Sequence, residues 1–325
     1  MTMKFSAKIK VTNSDFIVTE LLGFAGAEEG QHVLLYIEKT GETTADVVSH
    51  LSRVLNVKRL NIGYSGLKDK NAVTYQYFSV DLAGKVIEDF DFINTDNIKV
   101  ISHVKHLRKL KIGSHTGNAF NLVLRDVEGD KSILDKRLQS FSRNSIMNYF
   151  GEQRFGSNNS NIDQAIAMFK GELKVKSRNK KSMLISAARS FLFNQICIAR
   201  KNPKLLEGDI LQIDGSNSVF EYDSDDKLEI ESRIAAQKLH ISAPLYGMGG
   251  KQSKFQALDV ETEVINKYPE LKQGLSNSKL LRRPMTMRVQ NLTWEWSGND
   301  LSLSFILNKG SYATTVVDEL LTDEN

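Results

Sequence analysis

An aspartate between two lysines is the feature of this chain that could most directly do chemistry. Asp69 lies in the stretch Gly63–Val80, where a strand pattern breaks at a glycine-containing turn and a second alternating pattern begins after Thr74. A carboxylate held in such a turn can act as a nucleophile, and Lys68 and Lys70 are expected to favour its ionised form. Charged turns are also common on protein surfaces. The residues alone therefore leave two interpretations open, a reactive carboxylate and a solvated hairpin tip.

The residue types around this aspartate match a known motif. The run Gly66-x-Lys68-Asp69-x-x-Ala72-x-Thr74-x-Gln76 resembles the signature motif of the TruD family of tRNA pseudouridine synthases. Five further runs occur in the order typical of that family: Asn13-x-Asp15-Phe16-x-Val18-x-Glu20, Gly117-Asn118-Ala119-Phe120, Asn148-Tyr149-Phe150-Gly151-x-Gln153-Arg154-Phe155-Gly156, Ser186-Ala187-Ala188-Arg189-Ser190 and Gly310-Ser311-Tyr312-Ala313-Thr314. The resemblance therefore extends over most of the chain.

The resemblance implies roles for individual residues. Asp69 matches the catalytic nucleophile of the family, Asn118 is expected to contact the target nucleotide, and Phe120 is expected to lie against the target base. The residues alone favour structural roles for the last two, an asparagine in a turn and a core phenylalanine. Phe16 matches another residue of the uridine pocket, although the proline often found before that motif is absent.

Two further positions complete the predicted substrate-binding set. Tyr312 stands where the family commonly has phenylalanine, so stacking remains possible but the polarity of the pocket changes. Lys10 stands where the family often has a lysine that could pair with the aspartate, and a lysine on an edge strand is otherwise simply solubilising. By resemblance, a uridine flipped out of the RNA stack would be held between Phe120, Tyr312 and Phe16.

The implied reaction is an isomerisation of uridine to pseudouridine in tRNA, which the family usually carries out at position thirteen in the D arm. Asp69 would assist cleavage of the bond between N1 and C1′, by covalent attack or by abstracting a ribose proton, and the sequence leaves both routes open. Because no atoms or electrons are exchanged with solvent, neither a cofactor nor a metal is expected. The expected partner is tRNA, and monomers are usual in the family.

The elements that must position these residues predict an α+β fold. Strand patterns cover Lys4–Val11, Phe16–Leu22 and Val33–Lys39, and a helix is predicted for Thr44–Leu55 with Thr43 or Thr44 as its cap. Further predicted strands are Ile98–Val104, Ala119–Val127, Asn291–Trp296 and Leu301–Leu307, and further predicted helices are Lys131–Phe141, Ser182–Arg200, Phe255–Asn266 and Thr314–Leu321. The resemblance implies the pseudouridine synthase fold, a mixed and largely antiparallel sheet flanked by helices.

A shift in composition marks a second region. Between residues 144 and 200 there are nine lysines and arginines against three acidic residues. By resemblance, residues 144–286 form an inserted α/β TRUD domain, and residues 1–143 and 287–325 form the catalytic domain. A second basic strip, His103–His115, carries four lysines or arginines and no acid, which fits either phosphate contacts or a solvated face.

Composition and motifs limit the other function classes. The single cysteine excludes a disulfide framework, and the absence of an evident signal peptide or membrane-length apolar run predicts a cytoplasmic protein without membrane contact. In the glycine run Gly247–Ser253, Gln252 stands where a phosphate loop needs Ser or Thr, and no other nucleotide-binding fingerprint occurs. This argues against a different RNA-modifying enzyme such as a methyltransferase. The remaining alternatives are a non-catalytic RNA-binding protein and a pseudouridine synthase that acts on another RNA.

Overall fold

Strands and helices are interspersed along the whole chain. The computed structural model describes residues 5–27, 29–82, 84–85, 87–222 and 224–322. Its strands are β1 (Ser6–Lys8), β2 (Phe16–Leu21), β3 (His32–Thr40), β4 (Ile62–Tyr64), β5 (Val73–Asp81), β6 (Ile98–His106), β7 (Gly117–Glu128), β8 (Ile146–Met147), β9 (Ile210–Ile213), β10 (Val219–Glu221), β11 (Leu239–Leu245), β12 (Leu281–Pro284), β13 (Thr286–Met287), β14 (Gln290–Ser297) and β15 (Asp300–Asn308). Its α-helices are α1 (Thr44–Val54), α2 (Lys131–Arg143), α3 (Ser160–Phe169), α4 (Arg178–Ala199), α5 (Lys227–Ala235), α6 (Phe255–Asn266), α7 (Pro269–Gly274) and α8 (Ala313–Leu321).

The chain divides into two compact units. The first comprises residues 1–138, 289–310 and 321–325, and the second comprises residues 139–288 and 311–320. Both units are therefore discontinuous in sequence. The assignment of residues 1–143 and 287–325 to a catalytic domain, with residues 144–286 as an inserted domain, stays a prediction.

The first unit is built on one nine-stranded sheet. Its strand order is β14-β15-β7-β2-β5-β3-β6, with β1 added to β7 and β4 added to β5. Only β2 and β5 run parallel, over Ile17–Thr19 and Val73–Tyr75, and the other pairs are antiparallel. The sheet is mixed and largely antiparallel, as the resemblance implied.

Helix α1 packs against this sheet through its apolar face. Residues close together in the sequence determine both where the helix begins and which face is apolar. The hydroxyl of Thr43 accepts a hydrogen bond from the Asp46 amide, and the Asp46 carboxylate accepts one from the Thr43 amide, which forms a capping box. Its buried face packs in a core cluster with the buried side chains of β3 and β5, and includes Val47, Val48 and Leu51. Full burial of each such side chain contributes about 2 kcal/mol.

The second unit has its own sheet and its own core. Strands β10-β9-β11-β12 form a four-stranded antiparallel sheet, and β8 pairs with β13. Strand β11 is the most buried of these, since six of its seven residues are buried. Helix α4 supplies the helical side of the core through a row of buried side chains that includes Leu184, Ala188 and Leu192.

Helix α4 also bears on the expectation that no apolar run is long enough to cross a membrane. By length and composition the segment Arg178–Ala199 could do so, and it is the one such helix among the described residues. Its buried residues pack in the core of the second unit, which is typical of a core helix. The absence of membrane contact stays a prediction.

Several element boundaries differ from the prediction for identifiable reasons. The predicted strand Lys4–Val11 is reduced to β1, because Lys10 takes a left-handed backbone conformation with φ of 56°, and Lys4 lies outside the described residues. Helix α4 begins at Arg178 because the Ser177 hydroxyl caps it by accepting from the Lys180 amide. Strand β11 was not predicted, since a strand buried on both faces lacks the alternation that identifies a strand. Strand β12, which is only four residues long, was not predicted either.

Candidate active site

The loop that carries Asp69 connects two antiparallel strands, β4 and β5, and is anchored at two residues that precede the aspartate. The Gln76 side-chain amide donates to the Gly66 carbonyl at 2.6 Å, and the Lys68 backbone amide donates to the Thr44 hydroxyl at 3.0 Å. Gln76 and Gly66 both belong to the sequence motif. The motif therefore includes residues that fix the shape of the loop as well as the carboxylate.

The Asp69 carboxylate forms an ion pair with Lys10. Lys10 Nζ lies 3.0 Å from Asp69 Oδ1, and the Asp69 side chain is 45% exposed whereas that of Lys10 is 14% exposed. Lys10 Nζ also lies 4.0 Å from the centroid of the Phe16 ring. The left-handed conformation of Lys10 is unusual for a lysine. The Asp69 carboxylate is therefore accessible and is held in position by an ion pair, two properties that a nucleophile needs.

The two lysines that flank Asp69 in sequence form no ion pair with it among the described residues. Lys68 Nζ donates to Glu20 Oε1 at 2.7 Å, and both side chains are buried. Glu20 Oε2 also accepts from the Tyr77 backbone amide at 3.1 Å. Among the described residues, Lys70 forms no ion pair with Asp69 either. Successive side chains of an extended segment point to opposite sides, so Lys68 and Asp69 can have different surroundings although they are adjacent in sequence.

Two predicted aromatic residues lie together in the same unit. The rings of Phe16 and Phe120 meet edge to face with centroids 6.3 Å apart, and Phe120 also stacks on Phe305 at 5.5 Å. Strand pairing brings them together, because Val18 on β2 lies opposite Phe120 on β7. Phe16 and Phe120 are both almost fully buried. They form an apolar wall beside Lys10 rather than freely exposed stacking platforms.

Asn118 offers a polar group without a partner within the described structure. It lies on β7 opposite Glu20 on β2 and opposite Leu307 on β15. Its side-chain oxygen is buried and accepts no hydrogen bond from any described residue. Buried polar atoms in native proteins are normally satisfied, so an exception calls for an explanation such as ligand binding.

Tyr312 belongs to the second unit, whereas the other predicted site residues belong to the first. Arg154 Nη2 donates to the Tyr312 hydroxyl at 3.4 Å, and the Tyr312 ring lies 6.0 Å from the ring of Phe150. The guanidinium of the buried Arg283 lies 5.9 Å from the same ring. The hydroxyl that distinguishes Tyr312 from phenylalanine is therefore engaged by an arginine.

The basic strip His103–His115 is only partly a free surface. Its first residues belong to β6, and Leu110 is buried with its amide bonded to the Ser79 hydroxyl at 2.8 Å. The Gly113 amide donates to the Ser65 carbonyl at 2.7 Å, which attaches the strip to the Asp69 loop. Burial lowers the pKa of His115, and the charge of Lys68 lowers it as well. No described group of three or more His, Cys, Asp or Glu residues could hold a metal ion.

Sequence reasoning assigned no role to two buried charged residues that contact the loop. Glu20 follows Phe16 and Val18 on the core-facing positions of β2, and Lys39 follows Ile37 on those of β3. Glu20 holds Lys68, and the Lys39 ammonium reaches the backbone of Asp69. A charged residue at the end of an apolar alternation is the sequence signal that could have identified both.

Comparison with known proteins agrees with this geometry. The family model described as tRNA pseudouridine synthase D (TruD) matches residues 2–174 and 162–320. The chain belongs to the TruD family. The tRNA pseudouridine synthase D of Aeromonas hydrophila subsp. hydrophila is 38% identical over 322 residues, covering 97% of this chain and 91% of its own. That of Histophilus somni is 38% identical over 325 residues, covering 98% of this chain and 96% of its own.

The fold is shared with a solved member of the TruD family. The crystal structure of a putative tRNA pseudouridine synthase D from Methanosarcina mazei matches with a TM-score of 0.71 at 20% identity, covering 98% of this chain and 94% of that one. The α+β fold class predicted from the sequence is therefore confirmed. Membership of TruD makes the protein an enzyme, a tRNA pseudouridine synthase of the isomerase class, and removes the non-catalytic alternative.

Proposed function

We propose that this TruD enzyme converts the uridine at position thirteen of tRNA, in the D arm, to pseudouridine with Asp69 as the nucleophile. The observation that carries the proposal is the Asp69 carboxylate, which is half exposed on an anchored loop and lies 3.0 Å from Lys10 Nζ. Lys10 in turn contacts the Phe16 ring. The full-length relatives named tRNA pseudouridine synthase D support the reaction class.

The chemistry proposed for Asp69 needs one charged carboxylate and no other reacting group. The ionised Asp69 attacks C1′ of the ribose or removes a ribose proton, and the bond between N1 and C1′ breaks in either route. The released uracil rotates and C5 bonds to C1′, which frees Asp69 from C1′ or returns the ribose proton that it took. The proton then lost from C5 is matched by one gained at N1, so the product is an isomer of uridine. Lys10 Nζ, 3.0 Å from the carboxylate, holds it in position before the attack and lies beside it when it is released at the end.

The same unit supplies groups that fit an everted uridine. Phe16 and Phe120 provide an apolar wall for the ring, and water must be kept away while the ring rotates. The buried Asn118 side-chain oxygen can accept a hydrogen bond from the uracil edge or a ribose hydroxyl. The stacking role of Tyr312 stays a prediction.

A test of the proposal uses unmodified tRNA transcript and the purified protein without additives. Pseudouridine is mapped by carbodiimide-dependent primer extension for the wild type and for Asp69→Asn. A transcript with cytidine at position thirteen is the substrate control. Asp126→Asn is the matched protein control, because Asp126 is an exposed aspartate whose side chain pairs with Lys8 at 2.7 Å.

We expect product at position thirteen from the wild type and from Asp126→Asn, and none from Asp69→Asn or with the cytidine transcript. Undiminished product from Asp69→Asn would remove the nucleophile assignment. Product at another position, or only with another RNA, would replace the D-arm assignment with the alternative substrate.

A further inference from the structure

Lys39 is a lysine in a place where apolar residues are normal. Its side chain is fully buried on β3 and is among the largest fully buried side chains of the described residues. Lys39 Nζ donates to the carbonyl of Glu42 and to the carbonyl of Asp69, both at 2.7 Å. The Glu42 carbonyl belongs to the connection between β3 and α1, and the Asp69 carbonyl belongs to the reactive loop.

Packing alone does not account for a lysine at this position. The pKa of Lys39 is lowered to about 8, chiefly by burial and also by the charge of Lys68, whereas Asp69, Glu42 and Asp46 raise it. An apolar side chain of similar volume would avoid this cost. The hydrogen bonds that the ammonium donates to the carbonyls of Glu42 and Asp69 offset this cost. The role of the amine is therefore to join those two backbone segments.

Lys39 and Lys10 hold Asp69 from opposite ends. Lys39 fixes the backbone carbonyl and Lys10 pairs with the carboxylate. Because carbonyl and side chain leave the same Cα atom, fixing the carbonyl also limits the direction of the Cα–Cβ bond. Two more contacts attach the loop to the same connection: the Gly41 amide donates to the Ala72 carbonyl at 3.3 Å, and the Lys68 amide donates to Thr44.

We infer that Lys39 is a positioning residue for pseudouridine formation, which aims the Asp69 carboxylate by holding its backbone carbonyl against the connection between β3 and α1. The inference rests on the proposed role of Asp69 as the nucleophile. Lys39 itself touches no substrate, so it acts on turnover and leaves RNA binding unchanged.

Lys39→Met is the direct test, since methionine keeps the length of the chain and removes the donors. We expect kcat with tRNA transcript to fall about a hundredfold, KM and tRNA affinity to stay within about twofold, and amide exchange in residues 66–72 to become faster. The matched control is Leu35→Ala, on the same strand and face and also fully buried. It should lower the unfolding midpoint and keep kcat within about twofold wherever the protein is folded.

A Lys39→Met enzyme with kcat within about threefold of the wild type would overturn the inference, and so would loss of activity only in proportion to the unfolded fraction. If that variant does not fold, crystal structures of the wild type with and without tRNA decide, and an Asp69 carbonyl turned away from Lys39 refutes the inference. The proposed function fails separately, when Asp69→Asn keeps its activity.

Discussion

Charged residues at core-facing strand positions give the Asp69 loop its shape. Glu20 and Lys39 are both buried, and each contacts a loop residue, Lys68 in one case and Asp69 in the other. Removing one partner of the buried ion pair between Glu20 and Lys68 typically costs about 3 kcal/mol, and a hydrogen bond from a charged group such as the Lys39 ammonium contributes about 2 kcal/mol, so both contacts restrict the loop. The reactive carboxylate is held by a set of charges of which only Lys10 touches it directly.

Asn118→Ala tests whether a buried polar atom without a partner is kept for the substrate. We expect kcat/KM to fall about tenfold or more, with the free energy of unfolding changed by less than about 1 kcal/mol, because no described hydrogen bond to the oxygen is lost. The contrast is Asn148→Ala, since that buried side chain donates to Pro284 and accepts from Arg283. It should be destabilised by about 2 kcal/mol. Equal destabilisation of both variants in urea unfolding would contradict this.

The buried ammonium of Lys39 predicts a pH dependence of stability. Its pKa is about 8 in the folded protein and 10.5 is the ordinary value, so between these values the unfolded chain binds more protons. Stability contributed by this site therefore rises with pH in that window. As the pH is raised from 8 to 10, the free energy of unfolding of the wild type should increase relative to that of Lys39→Met. Urea unfolding at several pH values measures it.

Lys8→Met is the control for that pH dependence. Lys8 is exposed, and its hydrogen bond to Asp126 raises its pKa. The free energy of unfolding of the wild type should therefore not increase relative to that of Lys8→Met between pH 8 and 10. A flat difference for Lys39→Met would show that the Lys39 amine is not perturbed in the folded state.

At the scale of elements, the start of α1 serves both the helix and the reactive loop through adjacent threonines. Thr43 caps the helix. Thr44 is buried, accepts from the Lys68 amide and donates to the Gln76 side chain at 3.0 Å. The end of β3 and the beginning of α1 thus form the support on which the Asp69 loop rests.

Thr44→Val removes only the hydroxyl at this support. We expect kcat to fall about tenfold, because the loop amide loses its acceptor and Gln76 loses a donor. Thr43→Ala should cost about 1 kcal/mol of stability through the lost cap and leave kcat nearly unchanged at a temperature where the enzyme is folded. Steady-state kinetics and thermal unfolding separate the two effects. Equal kcat values for the two variants would show that the loop does not depend on Thr44.

At the scale of the whole molecule, the distribution of charge matters more than its sum. The net charge is only +4, yet basic residues concentrate in the strip His103–His115 and between residues 144 and 200. Within the strip, Arg108 and Lys111 are exposed and form none of the described ion pairs. Together with Lys105, which is also exposed and in none of the described ion pairs, they are the cations of the strip that are available to phosphates.

Replacing Arg108 and Lys111 by glutamine together should weaken tRNA binding through salt-dependent contacts. The slope of log Kd against log salt should become shallower by about 1.5, since each phosphate contact contributes about 0.7 to 0.9. At saturating tRNA, kcat should stay the same. The control pair is Lys227→Gln with Lys267→Gln, whose lysines pair with carboxylates one helical turn away. An unchanged slope for the Arg108 and Lys111 variant would assign RNA binding to other surfaces.

The sequence by itself determined the features that depend on local pattern. The motif around Asp69 identified the family, and alternation and capping identified β2, β3 and α1 to within a few residues. The turn at Ser297–Asp300 between β14 and β15 is equally local, since Gly298-Asn299 suits a two-residue hairpin turn and Gly298 has φ of 58°. These features need only neighbours in the chain, so a single sequence contains them.

Only the tertiary structure decided which charges meet. Lys68 is next to Asp69 in sequence but pairs with Glu20, whereas Lys10, which is 59 residues away, pairs with Asp69. Lys39 reaches the Asp69 carbonyl because β3 and β5 are neighbours in the sheet. Ion pairs and hydrogen bonds act over a few ångströms of space, and strand pairing, rather than separation along the chain, sets those distances.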